Sequence, residues 1–203
     1  MTAAATALEI NRAYYREHAD EFCLRTETVS METSYEPFLR LTPKGGHILD
    51  AGCGSGRDAV AFIARGYRVT AIDASPDMVR AANARGVDAR ELAFQQIEFS
   101  AEFHGVWACA SLLHVPRAEM SSVLRQFAKA LKPDGVLYAS LKKGSGERVA
   151  EDGRFFSYFT LDEFSDILVR EALFDVLEEW ENAGPDSSGA VRPWINFLAR
   201  RYH

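Results

Sequence analysis

A chain of 203 residues, 47% hydrophobic and 26% charged, is long enough to bury one sizeable core and short for two. Its formal net charge of −6 argues against broad nucleic-acid binding, which needs a basic footprint. No apolar run approaches the roughly 20 residues that cross a bilayer, so a membrane-spanning protein is not expected.

In chain order, the opening Met1-Thr2-Ala3-Ala4-Ala5-Thr6 lacks the basic start and apolar core of a signal peptide, and a cytoplasmic address is expected. Residues before about 43 read as one or two helices outside any repeating pattern. From His47 onward, short apolar runs alternate with helical segments, the signature of a parallel sheet covered by helices. Residues 47–50 read as a first strand, 58–65 as a helix stopped by Gly66, and 67–72 as a second strand. Ser75-Pro76 supplies an N-cap and a first-turn proline for a helix to about Arg85. Residues 87–94 form a weaker third strand and 106–110 a fourth, followed by a helix over 116–131. Lys132-Pro133-Asp134-Gly135 has the composition of a type I turn into a fifth strand at 136–141. Thr160-Leu161-Asp162-Glu163 has capping-box spacing for a helix to about Ala172. Residues 174–179 and 195–201 read as a terminal hairpin joined by a polar loop at 182–189.

Within this pattern, Asp50-Ala51-Gly52-Cys53-Gly54-Ser55-Gly56 joins a strand to a helix. Glycines admit positive φ and let the backbone approach a ligand, and the helix start offers unpaired N–H groups. Asp73 closes the second strand, where a carboxylate can accept from both hydroxyls of a ribose. The dinucleotide fingerprint G-x-G-x-x-G fails from Gly52, because Arg57 stands where the third glycine belongs, so NAD is not expected. The competing reading of the glycines alone is a tight strand–helix turn. Cys23, Cys53 and Cys109 have no metal-ligand spacing and read as reduced, packed thiols, and no metal is expected.

These segments resemble the class I S-adenosylmethionine-dependent methyltransferases. The glycine loop is similar to their first motif, and Ala71-Ile72-Asp73-Ala74-Ser75-Pro76-Asp77-Met78 to their second-strand segment. Ala108-Cys109-Ala110-Ser111-Leu112-Leu113-His114 is similar to their fourth-strand segment, and Leu131-Lys132-Pro133-Asp134-Gly135 to the turn that follows. Among small bacterial members the chain also looks like the tellurite-resistance-type methyltransferases. The resemblance implies a Rossmann-like, doubly wound α/β fold with a seven-stranded mixed sheet in the order 3-2-1-4-5-7-6, its last strand antiparallel. It implies a single domain, with a helical cap over 1–42, a cofactor-binding core over 43–141 and an acceptor-side segment over 142–203.

The implied cofactor is S-adenosylmethionine, with S-adenosylhomocysteine as product. Its implied site is Asp50, Gly52, Cys53, Gly54, Gly56, Asp73, Ala74, Met78, Ala110 and Ser111, with Asp73 on the ribose and the Gly52 and Ala110 carbonyls toward the ammonium. The family often has Asp after the third strand; here Gln95 or Gln96 stands in its place. Arg57 either binds the cofactor carboxylate or pairs with an acid such as Asp58 or Glu17. Tyr14, Tyr15 and Phe22 lie on an N-terminal helix that folds over the cofactor in similar enzymes, with Tyr14 or Tyr15 reaching it; the competing reading is that these aromatics only dock the helix.

For the methyl acceptor, His114 serves as a base, orients the substrate or anchors its loop. Lys142, Arg154, Tyr158, Arg192 and Trp194 mix cations with aromatic faces on the acceptor side; a solvated loop and a packed Trp194 are the bland reading. The expected function is methyl transfer to a small molecule by a monomer or homodimer. The alternatives are a tRNA base as acceptor, so that RNA is the partner, and a cofactor-binding regulatory module without turnover.

Overall fold

The computed structural model describes residues 6–170, 173–186 and 189–202. The first strand, β1 (His47–Ala51), is buried along almost its whole length, as a strand covered by helices on both faces must be. It pairs in parallel with β2 (Arg68–Asp73), which in turn pairs with the short β3 (Ala89–Glu91). On its other side lies β4 (Phe103–Cys109), followed by β5 (Leu131–Lys142), both parallel to it. A small two-stranded hairpin, β6 (Glu147–Val149) with β7 (Phe155–Ser157), stands apart from the sheet. The sheet is completed by β8 (Phe174–Pro185) and β9 (Val191–Arg201), giving the order β3-β2-β1-β4-β5-β9-β8. β9 runs antiparallel to both of its neighbours, β5 and β8, and is the one reversed strand of the sheet. Counting sheet strands alone, this is the expected 3-2-1-4-5-7-6.

Six helices surround the sheet: α1 (Ala7–Glu27), α2 (Glu32–Leu41), α3 (Arg57–Ala64), α4 (Pro76–Ala84), α5 (Arg117–Ala130) and α6 (Leu161–Arg170). On one face, α5 buries Met120, Val123, Leu124 and Phe127, the i, i+3, i+4, i+7 stripe of an amphipathic helix. Each such side chain contributes about 1.5–3 kcal/mol on burial. On the other face, Phe38, Phe62, Trp107 and Tyr138 form an aromatic cluster, with Trp107 and Tyr138 stacked at 3.9 Å. A Cβ on Gly105 would stand 2.6 Å from the Phe38 ring, so glycine is what lets α2 dock there.

Four expectations are corrected. Asp134 has φ +61°, which a type I turn excludes. Instead β5 already begins at Leu131 and bulges, its pairing with β4 jumping from Phe103↔Leu131 to Gly105↔Val136. The third strand keeps only three residues, because Asp88, Arg90 and Glu91 are poor strand formers and a 3-10 turn at Phe94–Gln96 follows at once. The terminal hairpin extends through most of the predicted loop, since pairs such as Asn182↔Trp194 and Gly184↔Arg192 continue the ladder. The β6–β7 hairpin was not expected.

The capping box at Thr160 and Glu163 is present, with Thr160 N–H donating to Glu163 Oε2 at 2.9 Å and Glu163 N–H to Thr160 Oγ1 at 3.2 Å. The expected helix end at Ala172, the loop residues Ser187 and Ser188, and the first five residues lie outside the described residues. No helix among the described residues is long and apolar enough to cross a membrane.

Candidate active site

The carboxyl ends of β1, β2 and β4, the 3-10 turn at Phe94–Gln96 and the inner face of α1 enclose a cavity of about 530 Å3. Its floor is the glycine loop. Gly52 has φ +80°, and a Cβ there would sit 2.4 Å from Ser111 Cβ, so backbone alone fits between β1 and the end of β4. Ser111 Oγ donates to the Ala51 carbonyl at 2.7 Å and holds that approach closed. Gly56 begins α3 in the left-handed region, packed against Ala82 and Val87.

Asp73 ties the loop to the next helix. Its Oδ2 accepts from Gly54 N–H at 2.9 Å and its Oδ1 from Ser75 N–H at 2.8 Å. Burial raises its pKa, against the pull of those two N–H groups. Both oxygens keep further acceptor sites, and Asp73 lines the cavity.

Beneath the loop two carboxyls divide their roles. Asp58 is buried and fully paired: Arg57 Nε and Nη2 donate to it at 2.6 and 3.0 Å, Tyr35 Oη at 2.6 Å and Trp107 Nε1 at 2.7 Å. Burial opposes its charge, but Arg57 and these donors outweigh it and hold its pKa low. Asp50 is equally buried, and its Oδ2 has no partner. Burial, then the charge of Asp58, push its pKa well up.

The opposite wall comes from β4 and the helical cap. Ala110 has φ +50°, and its N–H donates to Ser140 Oγ at 2.9 Å. The 3-10 turn after it presents His114. His114 Nδ1 lies 2.9 Å from the Phe155 carbonyl, which only accepts, so Nδ1 carries the proton. Nε2 then accepts from the Tyr15 hydroxyl at 3.0 Å. Burial, reinforced by Arg154 and Lys142, lowers the His114 pKa to about 4, and the ring is neutral. Burial likewise raises Tyr15 to about 12 and the Cys109 thiol to about 12, so both keep their protons at neutral pH.

Helix α1 is fixed over the cavity at several points. Asn11 exchanges two hydrogen bonds with the Phe155 backbone, at 3.2 and 2.9 Å. Arg12 Nε donates to the Ala74 carbonyl at 2.7 Å, and its Nη2 pairs with Glu91 at 3.1 Å. Arg57 Nη1 reaches the Thr26 carbonyl at 3.3 Å. Tyr15 meets Phe22 edge-on at 5.1 Å, and both line the cavity. The helix kinks at His18, whose ring stacks on Tyr14 at 4.4 Å.

Of the residues singled out in the sequence, Tyr15, Gly52, Cys53, Gly54, Arg57, Asp73, Ala74, Met78, Gln95, Gln96, Ala110, Ser111 and His114 line this cavity. Asp50 and Gly56 lie beneath it. Gln95 donates to Glu119 at 2.6 Å, while Gln96 Oε1 accepts from Ala93 N–H at 3.2 Å.

Lys142, Arg154, Tyr158, Arg192 and Trp194 do not line the cavity; each is engaged by other residues outside it. Arg154 is buried on the rings of Tyr14 and Phe156 and paired with Asp152 at 2.5 Å. Lys142 and Arg192 converge on Asp186 at 3.1 and 3.7 Å. Tyr158 is buried beneath Arg148, and Trp194 Nε1 donates to the Gly184 carbonyl at 3.3 Å. The sequence reading missed Asn11 and Arg12 as cavity residues, although they precede Tyr15 by one turn of the same helix.

The cavity suits a nucleoside bearing a cationic amino-acid group. It offers an acidic residue poised for a diol, a backbone cradle that a Cβ would fill, apolar faces at Met78 and Phe94, and a buried carboxyl with one unpartnered oxygen under the loop.

Comparison with known proteins bears on the same segment. Residues 48–135 match the model of a methyltransferase domain family. Over 109 residues the chain is 34% identical to the ubiquinone biosynthesis O-methyltransferase of Xanthomonas axonopodis pv. citri, which covers 50% of this chain and 45% of that protein. The chain thus spans less than half the length of the curated relatives it matches. Among solved structures, it is similar to the Burkholderia thailandensis 1,6-didemethyltoxoflavin-N1-methyltransferase with bound S-adenosylhomocysteine, with a TM-score of 0.79, 23% identity and coverage of 100% and 93% of the two chains. It is also similar to the magnesium protoporphyrin IX methyltransferase of Synechocystis PCC 6803 with bound S-adenosylmethionine, with a TM-score of 0.77, 17% identity and coverage of 99% and 100%.

Proposed function

We propose that this chain is a class I S-adenosylmethionine-dependent methyltransferase, as its fold and the methyltransferase-domain match at residues 48–135 support, and that it methylates a small molecule inside the cavity under α1. The observation that carries this reading is Asp73, held by Gly54 and Ser75 N–H groups with its remaining acceptor sites toward the cavity. Gly52, Cys53, Gly54, Ala110 and Ser111 hold the cofactor's amino-acid end, and Asp73 its ribose. Ala74, Met78, Gln95 and Gln96 border its base, and Asp50 supports the loop from below.

When bound, the cofactor supplies an electrophilic methyl on a sulfonium: the acceptor's lone pair forms the new bond to carbon while sulfur keeps the electrons of the bond that breaks. The chain's own contribution is placement and exclusion of water. Helix α1 roofs the cavity, and Tyr15 and Phe22 offer aromatic faces to an acceptor. His114 is a positioning residue in this reading. Its one lone pair is occupied by the Tyr15 hydroxyl and its proton by the Phe155 carbonyl, so it holds Tyr15 in place and takes no proton from the acceptor. The acceptor therefore brings a nucleophilic atom that is already unprotonated, such as a thiolate, an acidic phenolate or enolate, or a ring nitrogen.

A small acceptor is favoured over a tRNA base because the two arginines at the cavity, Arg12 and Arg57, are already engaged by Glu91 and Asp58. The names of the relative, a ubiquinone biosynthesis O-methyltransferase, and of the neighbour, a 1,6-didemethyltoxoflavin-N1-methyltransferase, point the same way. Purified protein incubated with radiolabelled S-adenosylmethionine against metabolite pools and against total RNA tests this reading. Label in a small-molecule fraction supports it; label in RNA alone overturns it.

A further inference from the structure

At the end of the sheet opposite the cavity, a cleft of about 350 Å3 opens between Pro43 and Pro133, lined also by His104, Asp134 and Arg200. Its hydrogen bonds do not close. His104 Nδ1 accepts the His47 backbone N–H at 2.9 Å, which in a neutral ring leaves the proton on Nε2. Burial, then the charges of Lys132 and Arg68, lower the His104 pKa and keep that ring neutral. Its Nε2–H faces Lys132 Nζ at 3.4 Å, and an ammonium has donors only. Two donors thus point at each other with no acceptor between them.

Arg200 adds a third cationic group. It forms no ion pair among the described residues, and its Nε is buried without a hydrogen-bond partner. The surroundings do not compensate. His47 stands beside Arg68 and is lowered by burial and then by that charge. Of the nearby carboxylates, Glu102 accepts from Ser100 N–H at 3.4 Å and Asp134 has an interaction of its own. In a chain of net charge −6, this is a local excess of donors and positive charge around one concavity.

We propose that this cleft binds a tetrahedral oxyanion, either free phosphate or a phosphate group of a nucleotide, between His104, Lys132 and Arg200. The three groups come from β4, the start of β5 and the end of β9; His104 and Arg200 line the cleft, and Lys132 stands beside His104. A guanidinium fork and an ammonium are the side chains that charge-assisted phosphate binding uses.

The test is calorimetry and thermal unfolding of the full chain in a buffer free of phosphate and sulfate, with chloride at equal ionic strength as control. Inorganic phosphate should raise the unfolding temperature saturably. Arg200→Met and Lys132→Gln should each weaken phosphate binding by roughly tenfold. Affinity for S-adenosylhomocysteine should be the same in wild type and variants, which separates this cleft from the cavity. A second arm titrates ATP with the cavity saturated by S-adenosylhomocysteine. ATP binding tenfold tighter than phosphate marks a nucleotide as the source, and equal affinities mark free phosphate. If Arg200→Met does not fold, Lys132→Gln carries the comparison. Phosphate that does no more than chloride, or a folded variant that responds as wild type does, overturns the proposal.

Discussion

The Tyr15 hydroxyl donates to His114 Nε2 across 3.0 Å, while His114 gives its other proton to the Phe155 carbonyl at 2.9 Å. One hydrogen-bonded chain thereby joins α1, the turn after β4 and the β6–β7 hairpin. Removing a general base typically costs 10²–10⁴-fold in rate. Here His114→Gln should lower kcat by less than about tenfold, because the ring positions Tyr15 and takes no proton. Tyr15→Phe should speed amide hydrogen exchange along α1 while leaving exchange in β1 and β4 unchanged. A hundredfold fall in kcat for His114→Gln, with a pH profile that loses its acid limb, would return His114 to the role of base.

The same residue sets a pH dependence. The folded pKa of His114 is depressed to about 4, so between that value and the ordinary 6.5 the unfolded chain binds more protons than the folded one. Stability should therefore be full above about pH 6.5 and fall as pH drops toward 4. The unfolding midpoint should decrease over this window by roughly 2–4 °C per kcal/mol lost. His114→Gln should flatten that part of the curve, and an unchanged slope would show that the ring is not buried in neutral form.

Asp50 and Asp58 are both buried, yet they should respond in opposite ways to the same substitution. Asp58→Asn breaks a charge pair with Arg57 and should destabilise by about 3–5 kcal/mol. Asp50 has a raised folded pKa, so it costs stability as pH rises above its unfolded value. Asp50→Asn should raise the unfolding midpoint at pH 8 and have little effect near pH 4. Equal losses for the two variants at pH 8 would mean that Asp50 is ionised and paired.

Gly52→Ala should abolish cofactor binding even if the chain folds. The new Cβ would lie 2.4 Å from Ser111 Cβ, at a φ of +80° that alanine rarely adopts. Ser111→Gly in the same chain should restore part of the binding by removing the clash. Cofactor affinity in Gly52→Ala equal to wild type would show that this approach is not part of the site.

Much of this was legible in the sequence because it is local. The glycine run, the Ser75-Pro76 helix start and the Thr160 capping box each carry their instruction within a few residues, and alternating apolar runs mark a parallel sheet covered by helices, whose strand order the family resemblance implied. What was not legible depends on partners far apart in the chain. Lys142, Arg154 and Arg192 read as contacts for an acceptor, but Asp152 and Asp186 pair with them, and aromatic rings cover Lys142 and Arg154. Arg57 lines the cavity but is tied to Asp58, on which Tyr35 and Trp107 also converge from two further elements. Asn11 and Arg12 carry no motif, and their part emerges only when α1 lies across the sheet.

The central claim is that the cavity under α1 holds S-adenosylmethionine through Asp73, and calorimetric titration of wild type and Asp73→Ala with S-adenosylhomocysteine tests it most directly. Each charge-assisted hydrogen bond to the ribose contributes about 1.5–3 kcal/mol, so the variant should bind at least about tenfold more weakly. Asp73→Asn should also lose affinity, because an amide nitrogen cannot accept from Gly54 or Ser75 N–H as the carboxylate does. NAD should give no heat with any of the three proteins. An unchanged dissociation constant in folded Asp73→Ala, or a wild type that binds NAD and neither sulfur cofactor, would contradict the account.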